Sequence, residues 1–220
     1  MTVVAEPRNY RGVARDDRVR ARRAALLDAA LDALHADGLS GVSVRSICAG
    51  AQLTPRYFYE SFADLDDLLV GVVDAVAEEV AQAALLAMTG AGACLGDQVR
   101  AGIAAGYAVV ADDRRKATAL LVAAAGHGPL RERRTAITVR YADLALATLP
   151  PLRARTAAER RAARAAALFL MGGTGELIVA VLSGRLRLSR AAVVEQLTAL
   201  WLAALSPRSP LPAPERHTPS

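Results

Sequence analysis

Residues 47–62 read Ile-Cys-Ala-Gly-Ala-Gln-Leu-Thr-Pro-Arg-Tyr-Phe-Tyr-Glu-Ser-Phe. Thr54 stands where an N-cap belongs, and Pro55 takes the first helical position, where a missing N–H costs nothing. A short helix therefore opens there and runs to Phe62. A second short helix precedes it, from Ser43 as candidate N-cap to about Ala51, with Val44 and Ile47 pointing inward. Upstream, Leu27, Ala30, Leu31 and Leu34 repeat at i, i+3, i+4 and i+7, which predicts a longer helix from about Arg18 to Ala36. Gly38 can supply its left-handed stop. Two short helices joined by a tight turn, with a third packed ahead, make a helix-turn-helix.

The aromatic residues sharpen this reading. Four of the chain's nine lie between Tyr57 and Phe62. Phe58 and Phe62, four apart, share one helix face and are expected to hold the core. Tyr57 and Tyr59 cannot lie on that face. The second helix of such a motif enters the major groove with its first residues nearest the base edges. Arg56 can pair with guanine, and Thr54 or Tyr57 can touch base edges or a thymine methyl. Tyr59 and Ser61 carry hydroxyls suited to phosphate oxygens. The expected DNA-contacting set is Ser43, Arg45, Thr54, Pro55, Arg56, Tyr57, Tyr59 and Ser61.

This stretch, continued through Asp64-Leu-Asp-Asp-Leu-Leu69, resembles the N-terminal pattern of the TetR family of bacterial transcriptional regulators without a gap. The family's turn valine and serine correspond to Leu53 and Thr54. Its Leu-Tyr pair corresponds to Phe58-Tyr59, and its closing phenylalanine to Phe62. The specific match covers roughly residues 18–70. Three positions depart: Gln52 stands for the turn glycine, Ser61 for a histidine or asparagine, and Leu65 for a lysine. A non-glycine at a left-handed turn position costs about 1 kcal/mol.

The remainder is expected to be all-α. Asp64 caps a fourth helix with a stripe of Leu65, Leu68, Leu69, Val72, Val73, Val76 and Val80. Further helices are predicted near 97–111, 114–125, 130–148, 156–183 and 189–205, about nine in all. The expected organisation is a flexible basic arm at 1–17, a DNA-binding head at 18–78 (motif about 43–62), a helical body at 79–205 and a disordered proline-rich tail at 206–220. Net charge is +5 and the apolar fraction, much of it alanine, is 53%. Arginines crowd the N-terminal end, which permits an anionic partner. Cys48 and Cys94 lack metal-ligand spacing and read as small core residues. The first residues lack the apolar core of a signal peptide, and Glu176 interrupts the longest apolar stretch, so a cytoplasmic location is expected.

For the body, the family resemblance implies a ligand-binding and dimerisation domain. Tyr107, His127, Tyr141, Phe169, Met171, Thr174 and Glu176 are the candidates for an apolar pocket carrying a few polar groups. Leu168, Gly172, Gly175, Val179, Leu182, Val193, Leu197, Leu200, Trp201 and Ala204 form two stripes that could build a four-helix homodimer interface. The expected partners are a double-stranded DNA operator, a small apolar or aromatic effector and a second copy; no cofactor, metal or membrane is called for. The expected mode is repression, relieved when an effector shifts the population away from the operator-binding form. A helical dimeric scaffold without DNA specificity is the first alternative, and a small all-helical enzyme the last. Catalysis finds no support: no nucleophile–histidine–acid set is visible, and Gly172-Gly173-Thr174-Gly175 lacks the strand and the Lys-Ser/Thr of a phosphate loop.

Overall fold

The computed structural model describes residues 10–125, 128–149 and 156–205. His127, the first part of the basic arm and the proline-rich tail lie outside them. Among the described residues the chain is all-helical, with nine α-helices: α1 Tyr10–Asp37, α2 Val44–Gly50, α3 Pro55–Ser61, α4 Leu65–Gly90, α5 Leu95–Ala111, α6 Arg114–Ala124, α7 Gly128–Thr148, α8 Ala157–Leu182 and α9 Arg190–Leu205.

Each helix of the head is bounded by local chemistry that the sequence announces. Gly38 ends α1 at φ +65°, and a single 3-10 turn, Gly38–Gly41, follows. The Ser43 hydroxyl accepts from the Ser46 amide at 3.0 Å while Ser46 Oγ accepts from the Ser43 amide at 3.0 Å, a reciprocal cap. Gln52 occupies the left-handed turn at φ 54°, so the strained geometry is kept without glycine. Asp64 accepts from the Asp67 amide at 2.8 Å, and Asp67 in return accepts from the Ala63 amide at 3.0 Å. Thr54 differs from expectation: it occupies the N-cap position, but its hydroxyl makes no cap bond.

Three boundaries move, the least consequential being α5, which begins at Leu95 rather than 97. The arm was expected to stay irregular to residue 17, yet α1 already begins at Tyr10. No proline or glycine pair interrupts 10–17, and arginine and alanine are good helix formers, so the packed helix propagates backward. Likewise α7 starts at Gly128 rather than 130, which places Pro129 in its first turn.

In the head, α1 packs on α2, α3 and α4. Leu26, Ala30, Leu34, Ile47, Phe58, Phe62 and Leu68 are fully or almost fully buried. Gly71 of α4 makes this fit possible. A Cβ there would meet Phe62 Cε1 at 3.0 Å and Leu27 Cδ2 at 3.3 Å. The expected boundary at 78 falls inside α4, whose apolar stripe carries the same core onward to Tyr107, Val110, Ala119 and Leu197. A second cluster joins Val99, Ala142, Ala167, Leu170 and Trp201 at the far end of the body. Cys48 is buried, and burial pushes its thiol pKa up; Cys94 is exposed, contrary to expectation, because it precedes α5 in an open connection.

Candidate nucleic-acid interface and effector cavity

The recognition helix α3 divides by face. Phe58 and Phe62 point inward, their ring centroids 5.9 Å apart. Tyr59 leans edge-on against Phe58, yet is 61% exposed. The Arg56 side chain is 84% exposed. Thr54 and Pro55 are exposed beside it, and Arg45 is exposed on α2. Three of the expected contact residues have structural work as well. Ser43 donates its hydroxyl to Ser46 Oγ at 2.9 Å and so is committed to the α2 cap. Tyr57 is half-buried, with the Arg22 guanidinium 4.2 Å above its ring centroid. Ser61 is half-buried, and its carbonyl accepts from Arg23 Nη1 at 2.8 Å.

Sequence reasoning missed Glu60. Its carboxylate accepts from Arg56 Nε at 3.0 Å and faces Arg22 Nη1 at 3.6 Å. The Arg56–Glu60 spacing of four was legible as an ion pair along a helix. Arg22 was not, because it arrives from α1 through tertiary packing. The guanidinium expected to read a base is thus held in place by a neighbouring carboxylate.

Behind the head, one ion cluster ties α1 to the body. Arg115 Nη1 lies 2.9 Å from Asp28 Oδ1 and 2.9 Å from Asp32 Oδ1, while its Nη2 lies 3.1 Å from Asp113 Oδ2. The hydrogen bond from Arg115 holds the Asp113 carboxyl below its usual pKa. His35 Nδ1 also meets Thr118 Oγ1 at 3.1 Å. One to two turns further along α6, Ala119, Leu120 and Ala123 reach the wall of a cavity.

That cavity, of about 250 Å³, lies inside the body between α4, α5, α6, α7 and α8, with Trp201 of α9 also on its wall. Its walls are mostly small or branched apolar side chains. Of the pocket candidates, Tyr107, Tyr141, Met171 and Thr174 line it. Tyr141 donates its hydroxyl to the Ala77 carbonyl, and burial raises its phenol pKa to about 12. Thr174 Oγ1 accepts from Trp201 Nε1 at 2.9 Å.

Two candidates fall outside. Phe169 is 79% exposed, because it sits on the α8 face opposite buried Ala167 and Leu170. Glu176 points outward and pairs with Arg134, a cavity-lining residue that sequence reasoning missed.

The expected dimer stripe also needs correction. Val179, Val193, Leu197 and Trp201 are buried inside the protomer. Gly172 and Gly175 line the cavity. Leu168, Leu182 and Ala204 are half-buried, and Leu200 alone of the set is a large exposed apolar residue, at 56%. A helix apolar all round does not reveal from sequence which face its own chain covers. The outward faces are Ala162, Ala165, Phe169 and Gly173 on α8, and Ala199, Leu200 and Ala203 on α9. By length and composition α8 could cross a membrane, and only 17% of its most apolar stretch is buried within the protomer.

No protein-family model and no curated protein matches this sequence. Solved structures share its fold. A TetR-like transcriptional regulator from Rhodococcus sp. RHA1 superposes with a TM-score of 0.59 at 18% identity, covering 92% of this chain and 100% of that one. The fatty acid degradation regulator FadR from Bacillus halodurans gives 0.66 at 16% identity, over 85% and 97% of the two chains. The multidrug binding protein EbrR, solved with imidazole, gives 0.58 at 23% identity, over 88% and 97%. The chain has the all-α fold of these three proteins along most of its length.

Proposed function

We propose that this protein is a DNA-binding transcriptional regulator, acting as a repressor that holds a near-palindromic operator as a homodimer. The observation that carries this reading is the division of α3: Phe58 and Phe62 seal its inner face while Thr54, Arg56 and Tyr59 stand exposed on its outer face. Thr54 keeps its hydroxyl out of the helix cap, and Arg45 of α2 adds an exposed positive charge. Two such helices in a homodimer would meet half-sites about 34–36 Å apart. The exposed apolar faces of α8 and α9 support dimerisation, since a second copy would cover Phe169 and Leu200. The same need accounts for the low burial of α8 without a membrane, in keeping with a cytoplasmic location.

The cavity in the body supports an effector site. Its apolar wall fits a small apolar or aromatic effector, in line with the fatty-acid and multidrug connections of two proteins sharing the fold. An effector that prefers one spacing of the two heads lowers operator affinity by its differential binding. Nothing in this mechanism calls for catalysis.

Footprinting with the purified protein tests the reading. A specific, salt-sensitive footprint is expected. Arg56→Ala should then relax base preference by about 1–3 kcal/mol, while Tyr59→Phe should weaken all sites alike. Salt-sensitive binding without sequence preference, or a monomer at micromolar concentration in sedimentation, refutes the proposal.

A further inference from the structure

Arg134 is the one charged residue on the cavity wall among the described residues. Its side chain is 31% exposed, so the guanidinium sits at the edge of the cavity rather than in its depth. One of its terminal nitrogens, Nη2, donates to Glu176 of α8, whose side chain is 60% exposed and does not line the cavity. Nε and Nη1 have no acceptor among the described residues. Next to Glu176, Gly172 and Gly175 line the same cavity, and a Cβ added at either would meet nothing within 4 Å. Two of the wall positions of α8 beside Glu176 thus carry no side chain. Two carboxylates of α4, Glu78 and Asp74, pair with Arg140 and Arg133 of α7 and do not line the cavity.

From this arrangement we infer that the effector is an amphiphilic monoanion: an apolar body inside the cavity and one carboxylate at the α7–α8 seam, held by Arg134. The inference rests on reading the cavity as the effector site and specifies its chemistry. An arginine stays protonated and presents donors in a planar fork that matches a carboxylate. Elsewhere the wall is apolar, so an apolar tail gains burial along its length. Glu176 already occupies one edge of the fork. It therefore competes with the incoming carboxylate and tunes affinity, and it does not discriminate among neutral ligands. A cation meets Arg134 with like charge and finds no carboxylate on the wall.

Three single-tailed probes separate these terms: decanoate, 1-decanol and decyltrimethylammonium, each below its micelle-forming concentration. Trp201 is the chain's only tryptophan and lies on the cavity wall, so its fluorescence reports occupancy. With the full-length protein, decanoate should bind about tenfold or more tighter than 1-decanol, as a charge-assisted hydrogen bond at a partly exposed site implies. The ammonium probe should bind more weakly than the alcohol. Arg134→Gln should abolish the preference for the acid and leave 1-decanol unchanged, while Arg134→Lys should retain part of it. Glu176→Gln should tighten decanoate and leave 1-decanol unchanged.

Equal affinity for decanoate and 1-decanol in the unmodified protein would overturn the inference while leaving the apolar effector site standing. An acid preference that survives Arg134→Gln would overturn it too. If none of the three probes binds, the effector-site reading falls with it.

Discussion

The head and the body differ in what fills their centres. Between α1, α2, α3 and the start of α4 the space is taken by Leu26, Leu34, Ile47, Phe58, Phe62 and Leu68, all almost fully buried. In the body, the helices face the centre with small side chains such as Ala81, Ala84, Ala119 and Ala123, and a cavity of about 250 Å³ remains. Large interlocked side chains hold a short helix in one pose, which a recognition helix of seven residues needs. Small side chains on long helices leave the frame intact but the interior unfilled. The difference follows from leverage: α3 is too short to be stable alone, whereas α4 and α8, at 26 residues each, carry much of their own hydrogen bonding.

Truncating a side chain in each region tests this contrast most strongly. Phe58→Ala should cost about 3–5 kcal/mol in denaturant unfolding, by opening a hole in a filled core. Ile137→Ala, on the cavity wall, should cost less than about 2 kcal/mol, because part of its surface already faces empty space. Equal losses would break the comparison.

The joint between the regions comes next. Arg115→Ala leaves Asp28, Asp32 and Asp113 facing one another without their common cation. A loss of about 1–2 kcal/mol is expected, kept modest because the cluster is partly exposed. Amide exchange should quicken in α1 and α6 together; quickening in α6 alone would show that the joint does not couple them.

A pH titration probes the body by itself. Burial raises the Tyr141 phenol to about 12, above the ordinary value near 10. A raised pKa contributes stability that is fully present below about pH 10 and is lost as pH climbs toward 12. Between pH 10 and pH 11 the unfolding free energy should fall by about 1 kcal/mol from this group. Tyr141→Phe should remove that slope, and an unchanged slope would assign it elsewhere.

The smallest effect belongs to the head's turn. Gln52→Gly relieves the left-handed strain at φ 54° but loosens the unfolded chain. The net gain should be under about 1 kcal/mol, read as a small rise in melting temperature. A loss would mean that the glutamine side chain contributes contacts that outweigh its strain.

How much of this could be read from the residues varies with how local the cause is. Ser43, Gln52, Asp64 and the Phe58/Phe62 spacing act within a few residues of themselves, and helix boundaries came within a few residues except where α1 extends back to Tyr10. Glu60 was half legible, through its spacing from Arg56, and its second neighbour Arg22 was not. Arg134 was overlooked because nothing around it in the chain marks it off from the many other arginines of this sequence. Phe169 was misplaced because α8 from Ala165 to Leu182 carries a single charged residue, Glu176, and offers little phase from which to choose a face.

The sequence by itself therefore determined the all-α class, the helix-turn-helix and the inward and outward faces of α3, since caps, turn geometry and periodicity are local and the short helix has one apolar face. Only the tertiary structure decided which stripes of α8 and α9 lie inside, that Arg115 bridges head and body, and that Arg134 stands on the rim of a cavity. Those outcomes depend on how long helices rotate and pack against one another, and an alanine-rich surface permits more than one rotation until all its neighbours are in place.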